Sequence, residues 1–302
     1  MRENSNLNRR SFLTAAVATG ASVALGAQQT PAQRPQKKAV LRISCQEWVV
    51  PGKSLRQKVE KLAQWGIVGL EVGGRNLAKR VKQIKEAIRG TGVSVSAICA
   101  GYQGTLGHHD PEVRKKAITS MKEILGPAGE LGAVGLIFVP AFNHHKSKLS
   151  AWEVRKVLLD VLPELGDFAA KCGTKMILEP LNRRETIYVR LLADAAAIVR
   201  DVGHPGVVMM GDFYHMGIEE TSDLGAFISA GKYLAHVHLA TTKHRILPGQ
   251  EERDYVPGFR GLKMIGYQGY MSFECGVRGN RDVEIPKSVK FLRAQWEKAK
   301  VC

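Results

Sequence analysis

The chain has 302 residues, of which 44% are hydrophobic, and this is enough to bury one large core. A single barrel of about 250 residues with extensions would account for the whole length. The formal charge of +16 raises the question of nucleic acid, but the basic residues are spread over predicted helices, as at 79–85 and 114–116. We therefore predict no nucleic-acid partner. The five cysteines fall at no metal-ligand spacing, which argues against a thiolate metal site.

Residues 1–27 predict a cleavable export signal. Arg9 and Arg10 precede Ser-Phe-Leu and a run of small apolar residues at 15–26, which is the layout of a twin-arginine signal. A membrane anchor is the alternative, but the run is shorter than the about 20 apolar residues that a span needs. We expect an exported, periplasmic or extracytoplasmic protein with no stable membrane span in the mature chain.

After a Gln- and Pro-rich stretch at 28–38, predicted to be a disordered linker, β-branched runs alternate with amphipathic helical patterns over 39–302. The pattern is typical of parallel strands joined by helices. Eight strands are predicted, at 41–48, 68–72, 94–98, 135–139, 175–179, 206–210, 234–239 and 270–273. The predicted fold is therefore an α/β, single-domain (β/α)8 TIM barrel with its active site at the carboxyl ends of the strands.

Helix start signals lie between these strands. A helix is predicted at 55–64, Asp110 precedes Pro111 at a first helical position, and Ser150 forms a capping box with Glu153. Pro163 is expected to end that last helix. Further helical segments are predicted at 165–171, 190–202 and 285–300.

Four successive units each end their strand with a metal-ligand type. Glu179, Asp212, His238 and Glu274 are separated by 33, 26 and 36 residues, each about one strand-loop-helix unit, so a closed barrel brings them to one rim. Three converging carboxylates require compensation by protons or a cation. Oxygen and imidazole ligands without a thiolate suit one divalent ion, with Mn²⁺ expected first and Mg²⁺, Co²⁺ or Fe²⁺ as alternatives. Separate salt bridges at the barrel rim are the other interpretation.

A wider set of motifs accompanies these four residues: EPLNRRE at 179–185, DFYH at 212–215, HVH at 236–238, RILPG at 245–249 and GYMSFE at 269–274. Together they resemble the xylose isomerase-like superfamily and, within it, ketose 3-epimerases of the D-tagatose 3-epimerase type. The resemblance covers essentially the whole chain after Val40.

The resemblance implies that Glu179, Asp212, His238 and Glu274 hold the metal, and that Glu179 and Glu274 act as an acid/base pair on opposite substrate faces. It implies an isomerase or epimerase that removes a proton next to a carbonyl through a metal-stabilised enediolate. It also places three residues against substrate oxygens: Glu185, His215 and Arg245.

Glu71 ends the second strand and therefore points to the same rim. It is predicted to bond a distal substrate hydroxyl, with a structural hydrogen bond as the alternative. The chain departs from the epimerase pattern at Arg184, where an aromatic residue is usual, and in a loop after His238 that is one residue longer. These departures leave the sugar itself open.

The expected partner is an unphosphorylated small-molecule sugar or sugar derivative, and a homo-oligomer is left open. A metal-dependent lyase of 3-keto-glycosides uses the same proton abstraction, and a non-catalytic carbohydrate-binding barrel would keep the fold. Apurinic endonucleases share the barrel and the positive charge, but they need an Asp-x-His after the seventh-strand histidine. None follows His238.

Overall fold

The structure is a computed structural model that describes residues 38–301. Eight parallel strands hydrogen-bond in chain order, and the last pairs with the first, so the sheet closes into a barrel. The strands are β1 Arg42–Gln46, β2 Gly69–Gly73, β3 Ser94–Cys99, β4 Leu136–Phe138, β5 Met176–Leu178, β6 Val207–Asp212, β7 Leu234–Leu239 and β8 Tyr270–Phe273. The predicted (β/α)8 fold is confirmed.

Helices cover the outside of the barrel. Within residues 38–301 they are α1 Leu55–Gln64, α2 Leu77–Ile88, α3 Pro111–Glu130, α4 Ala151–Lys171, α5 Leu192–Val202, α6 Phe213–Glu219, α7 Asp223–Ala230, α8 Val256–Met264 and α9 Arg281–Lys298. The predicted caps of α3 and α4 are confirmed, because Asp110 accepts from the Glu112 amide and Ser150 and Glu153 form the reciprocal capping box.

The predicted break at Pro163 is wrong, because α4 continues through it from Ala151 to Lys171. A proline inside a helix removes one backbone hydrogen bond. Here Leu158, Leu162 and Leu165 are all fully buried on both sides of the proline, so packing against the barrel holds the two halves in one helix.

Four predicted elements differ from the structure by two residues or more at one end or both, namely β1, β6 (which continues to Asp212), α5 (which begins at Leu192) and α9. The first strand ends at Gln46 rather than at residue 48, so Trp48 lies in the loop that follows. The last helix begins at Arg281, four residues earlier than predicted, because the Asn280 side chain caps it.

The main apolar core lies between the barrel and its helices. A second, smaller cluster lies on the opposite faces of β3 to β6, inside the barrel, and is formed by Ala97, Ile137, Ile177, Val208 and Met210. The barrel interior is thus packed below the carboxyl ends of the strands, and polar side chains lie above it.

Among the described residues, no helix is long and apolar enough to cross a membrane. The predicted signal at 1–27 lies outside the described residues, as does the predicted linker apart from Lys38.

Candidate metal-binding active site

The four predicted ligands meet at the carboxyl ends of neighbouring strands. Glu179 follows β5, Asp212 ends β6, His238 lies near the end of β7, and Glu274 follows β8. Asp212 pairs with His238 in the sheet register, which fixes their relative height. One ligand atom from each of the four lies within 4.8 Å of the others.

Two buried atoms of this cluster that make no hydrogen bond fit a bound cation. Within the described part of the chain, Glu179 Oε1 and His238 Nδ1 are buried and have no hydrogen-bond partner. His238 Nδ1 lies 2.9 Å from Glu274 Oε2 and 3.6 Å from Glu179 Oε1. Three carboxylates and one imidazole are ligands that divalent metals such as Mn²⁺ and Mg²⁺ accept. The four residues therefore form a candidate metal site.

Glu71 orients His238 from behind. The carboxylate oxygens of Glu71 lie 3.0 and 3.2 Å from His238 Nε2, and one of them is 2.8 Å from His236 Nε2. Gln46 Nε2 donates to Glu71 Oε1 over 2.6 Å. A histidine that donates one ring N–H to a carboxylate presents the lone pair of its other nitrogen to a metal. Of the two roles that the sequence left open to Glu71, these contacts favour the structural hydrogen bond.

The electrostatics of this buried group follow from its charges. Burial opposes ionisation of Glu71, but His238 and His236 outweigh burial and hold the pKa of Glu71 well below its ordinary value. Burial lowers the pKa of His236. His238 is also buried, yet Glu71 and Glu274 raise its pKa well above the ordinary value. This negative surrounding favours a positive charge at His238, whether a proton or a metal ion.

The two proposed acid/base residues have pKa values shifted in opposite directions. Burial raises the pKa of Glu179, and the nearby Glu274 carboxylate adds to the shift. Burial acts in the same direction on Glu274, but His238 and Arg245 lower its pKa to about 2. Two carboxyls whose environments separate their pKa values are suited to different proton-transfer roles.

His215 adjoins the ligand cluster from α6. The Asn182 backbone N–H donates to His215 Nδ1 over 3.2 Å, so the ring hydrogen of His215 is on Nε2. His215 Nε2 lies 3.4 Å from Asp212 Oδ2. Asn182 Nδ2 also donates to Glu185 Oε1 over 3.1 Å. Asn182 therefore positions both His215 and Glu185. Asn182 has no predicted role, although a polar residue soon after a strand end is a signal that indicates one.

Arg245 contacts two of the ligand carboxylates. Its Nη2 lies 2.8 Å from Asp212 Oδ2 and 2.5 Å from Glu274 Oε2, and its guanidinium lies 4.6 Å from the centre of the Tyr214 ring. Arg245 has a φ of 50°, a left-handed conformation that costs a non-glycine residue about 1–2 kcal/mol. Its carbonyl accepts from the Gly276 amide over 2.8 Å, which helps to hold that conformation.

These groups line a cavity of about 160 Å³. Its polar wall carries Glu179, Glu185, His215, Arg245 and Glu274, so the structure brings these predicted residues together around one space. Its apolar wall includes four residues that sequence reasoning missed: Tyr102, Val139, Phe142 and Leu181. Tyr102, Phe142 and Leu181 lie in loops, where no periodic pattern indicates which side chains face inward, and Val139 lies directly after β4.

A closed parallel barrel with a carboxylate and imidazole cluster at its carboxyl ends defines an enzyme-like TIM barrel with a candidate metal site. The family described as xylose isomerase-like TIM barrel matches residues 59–295. The chain belongs to this family, which is a family of enzymes, and the expected resemblance is confirmed at that level.

Relatives within the family are named sugar epimerases. The 3-dehydro-D-guloside 4-epimerase of Escherichia coli K12 is 31% identical over 245 residues, which cover 79% of this chain and 93% of that protein. The D-psicose 3-epimerase of Ruminiclostridium cellulolyticum is 29% identical over 247 residues, covering 77% and 81%. The solved structure of a 3-keto-D-glucoside 4-epimerase from E. coli superimposes with a TM-score of 0.78 at 30% identity, covering 84% of this chain and all of that one.

Proposed function

We propose that this chain is a divalent-metal-dependent epimerase of a sugar or sugar derivative, with Mn²⁺ as the preferred ion. The observation that carries the proposal is the ligand cluster, in which Glu179 and Glu274 approach within 4.8 Å beside buried ligand atoms that make no hydrogen bond. The names of the relatives favour epimerisation over isomerisation.

Glu179, Asp212, His238 and Glu274 would hold the metal. A divalent ion there would withdraw electron density from a substrate carbonyl and stabilise the negative charge that builds on its oxygen. One carboxylate of the pair Glu179 and Glu274 removes the proton next to that carbonyl, and the other returns a proton to the opposite face. This exchange inverts the carbon between them.

The remaining groups of the cavity orient the sugar and tune the pair. In this proposal His215 Nε2–H and Glu185 hydrogen-bond substrate oxygens, since both line the cavity and Asn182 fixes both. The positive charge of Arg245 keeps Glu274 ionised and ready to accept a proton. The apolar wall excludes water, which strengthens each of these charge interactions.

The test is turnover in deuterated water with Mn²⁺. We expect the protein to epimerise a ketohexose or a keto-glycoside and to incorporate one deuteron at the inverted carbon. Glu179→Gln and Glu274→Gln should each reduce kcat by at least about 100-fold, the lower range of what a general acid or base contributes. Glu60→Gln, at an exposed position on α1, is the matched control.

Two outcomes would replace the proposal. Release of an aglycone without an epimer would make the protein a lyase of keto-glycosides. Sugar binding that is the same in wild type and both variants, with no metal in the purified protein, would make it a carbohydrate-binding barrel.

Residues 1–27 are proposed to export the enzyme through the twin-arginine route, on the support of the Arg9-Arg10 motif and the following apolar run. Cell fractionation of wild type and an Arg9→Lys, Arg10→Lys variant tests this. We expect wild-type protein outside the cytoplasm, and an unchanged distribution of the variant would contradict the proposal.

A further inference from the structure

A second cavity of about 500 Å³ adjoins the catalytic one. Cys99 and Glu274 line both cavities, so the two spaces meet at a carboxylate of the proposed acid/base pair. The second cavity lies above the carboxyl ends of β1 to β3. Its volume falls within the range of about 300–1,000 Å³ that is usual for small-molecule binding sites. Its size leaves room for a part of the substrate beyond the reacting sugar.

Trp48 forms an exposed aromatic wall of this second cavity. The residue is 52% exposed although it is large and apolar. Its indole N–H donates to Gln46 Oε1, and Gln46 Nε2 donates in turn to Glu274 Oε1 over 3.0 Å. One amide side chain therefore joins the indole to the catalytic carboxylate and sets the distance between them.

The loop that carries Trp48 is held by three cations. Lys58 Nζ donates to the Glu47 carbonyl over 2.8 Å, and Arg281 Nη1 donates to the Trp48 carbonyl over 2.7 Å. Arg80 Nη2 lies 2.9 and 2.7 Å from the two carboxylate oxygens of Glu47. A surface that is fixed before binding loses little conformational freedom when a ligand arrives.

The chemistry of the walls favours an uncharged, ring-shaped ligand. The Glu47 carboxylate is neutralised by Arg80, and the Lys58 ammonium already donates to a backbone carbonyl. An aromatic face with polar groups at its edge suits a ring that is apolar on its faces and polar at its rim. A phosphate would find no unpaired cation among the residues that line this cavity.

We propose that this second cavity binds the second ring of a glycosidic substrate, stacked on Trp48, while the reacting sugar lies beside Glu179 and Glu274. The inference rests on the proposed function and narrows its substrate class. The anomeric carbon of a glycoside is locked by its glycosidic bond, so the carbonyl that activates the proton is a keto group on the sugar ring. The substrate class is thus a keto-glycoside with two rings.

Two variants test the cavity directly. Trp48→Ala removes the stacking face, and Gly73→Leu fills the space, since a Cβ at Gly73 would meet no described atom within 4 Å. Trp152→Ala, at a position that is 62% exposed on α4, is the control for loss of an exposed tryptophan. The substrates are a 3-keto-disaccharide and the matching methyl 3-keto-glycoside, which lacks the second ring.

We expect kcat/KM of wild type and of Trp152→Ala to be about ten-fold higher for the disaccharide than for the methyl glycoside. The difference should lie mainly in KM, because a ten-fold change corresponds to about 1.4 kcal/mol of binding free energy. Trp48→Ala and Gly73→Leu should both lose the preference. Gly73→Leu, which leaves the hydrogen bonds from Trp48 to Gln46 and from Gln46 to Glu274 in place, should also keep turnover of the methyl glycoside. Equal use of both substrates by wild type, with no effect of Trp48→Ala, would overturn the inference and leave the proposed function standing.

A binding measurement separates this inference from the catalytic proposal. Calorimetric titration with the unoxidised disaccharide requires no turnover. If wild type epimerises neither substrate, the proposed function fails. Even then, weaker disaccharide binding by Trp48→Ala and Gly73→Leu than by Trp152→Ala would support the second-ring site. Identical binding by all four proteins would overturn it.

Discussion

Replacement of Glu71 by glutamine tests whether the second layer of the site controls metal binding. In the native protein the Glu71 carboxylate lies within 3.2 Å of the ring nitrogens of both His236 and His238. An amide of the same shape has one acceptor oxygen instead of two and no charge. Its –NH₂ group faces a ring N–H, so one of the two imidazoles must rotate or exchange its proton.

The expected loss follows from that geometry. Outer carboxylates that hold a metal-bound histidine contribute about 10–100-fold to metal affinity. Since each factor of ten corresponds to about 1.4 kcal/mol, Glu71→Gln should weaken Mn²⁺ binding by about 1.4–2.8 kcal/mol. The upper part of the range is expected because Glu71 contacts two imidazoles and is almost fully buried, at 1% exposure.

Titration of Mn²⁺ followed by electron paramagnetic resonance measures the affinity, and circular dichroism confirms that the variant is folded. Glu112→Gln, at the exposed start of α3, is the matched control and should bind Mn²⁺ as wild type does. A folded Glu71→Gln protein with unchanged Mn²⁺ affinity would refute the orienting role.

Three further predictions concern stability. Mn²⁺ at 100 times its Kd should stabilise the chelator-treated protein by about 2.7 kcal/mol and raise its Tm by several degrees. A Tm that is unchanged by Mn²⁺ would contradict the metal site. Gly129→Ala should lower the free energy of unfolding by about 1–3 kcal/mol or more, because the added Cβ would lie 1.7 Å from the Cys172 carbonyl oxygen. Gly126→Ala lies on the same helix, and its Cβ would meet no described atom within 4 Å. This variant should raise the free energy of unfolding by up to about 1 kcal/mol. Equal Tm values for these two variants would contradict the close approach of α3 and α4. The third prediction concerns Glu251. Burial opposes ionisation of its carboxyl group, but hydrogen bonds from Thr241 and His244 outweigh burial and lower the pKa of Glu251 to about 2. The ionised carboxylate should therefore stabilise the fold fully above its ordinary pKa, and this stabilisation should disappear as the pH falls towards 2. Thermal unfolding of Glu251→Gln should therefore depend less steeply on pH between about 4.5 and 2 than that of wild type, and parallel curves would contradict this.

The sequence by itself determined the barrel and the four candidate ligands. Near-continuous apolar strands and helix caps act over a few residues, so their pattern can be read locally. A carboxylate or histidine at the end of a strand is equally local, and the closure of a parallel barrel brings all strand ends to one rim. Glu179, Asp212, His238 and Glu274 were readable for this reason.

Only the tertiary structure decided what surrounds those ligands. Glu71 and His238 are 167 residues apart on β2 and β7, which are not neighbouring strands, so no spacing indicates that they hydrogen-bond across the barrel. Pro163 predicted a helix end that packing overrode. The cavity beside Trp48 depends on a loop held by Lys58 and Arg281 from two different helices. Side chains from distant segments specify these features together, because each contact forms only after the barrel has closed.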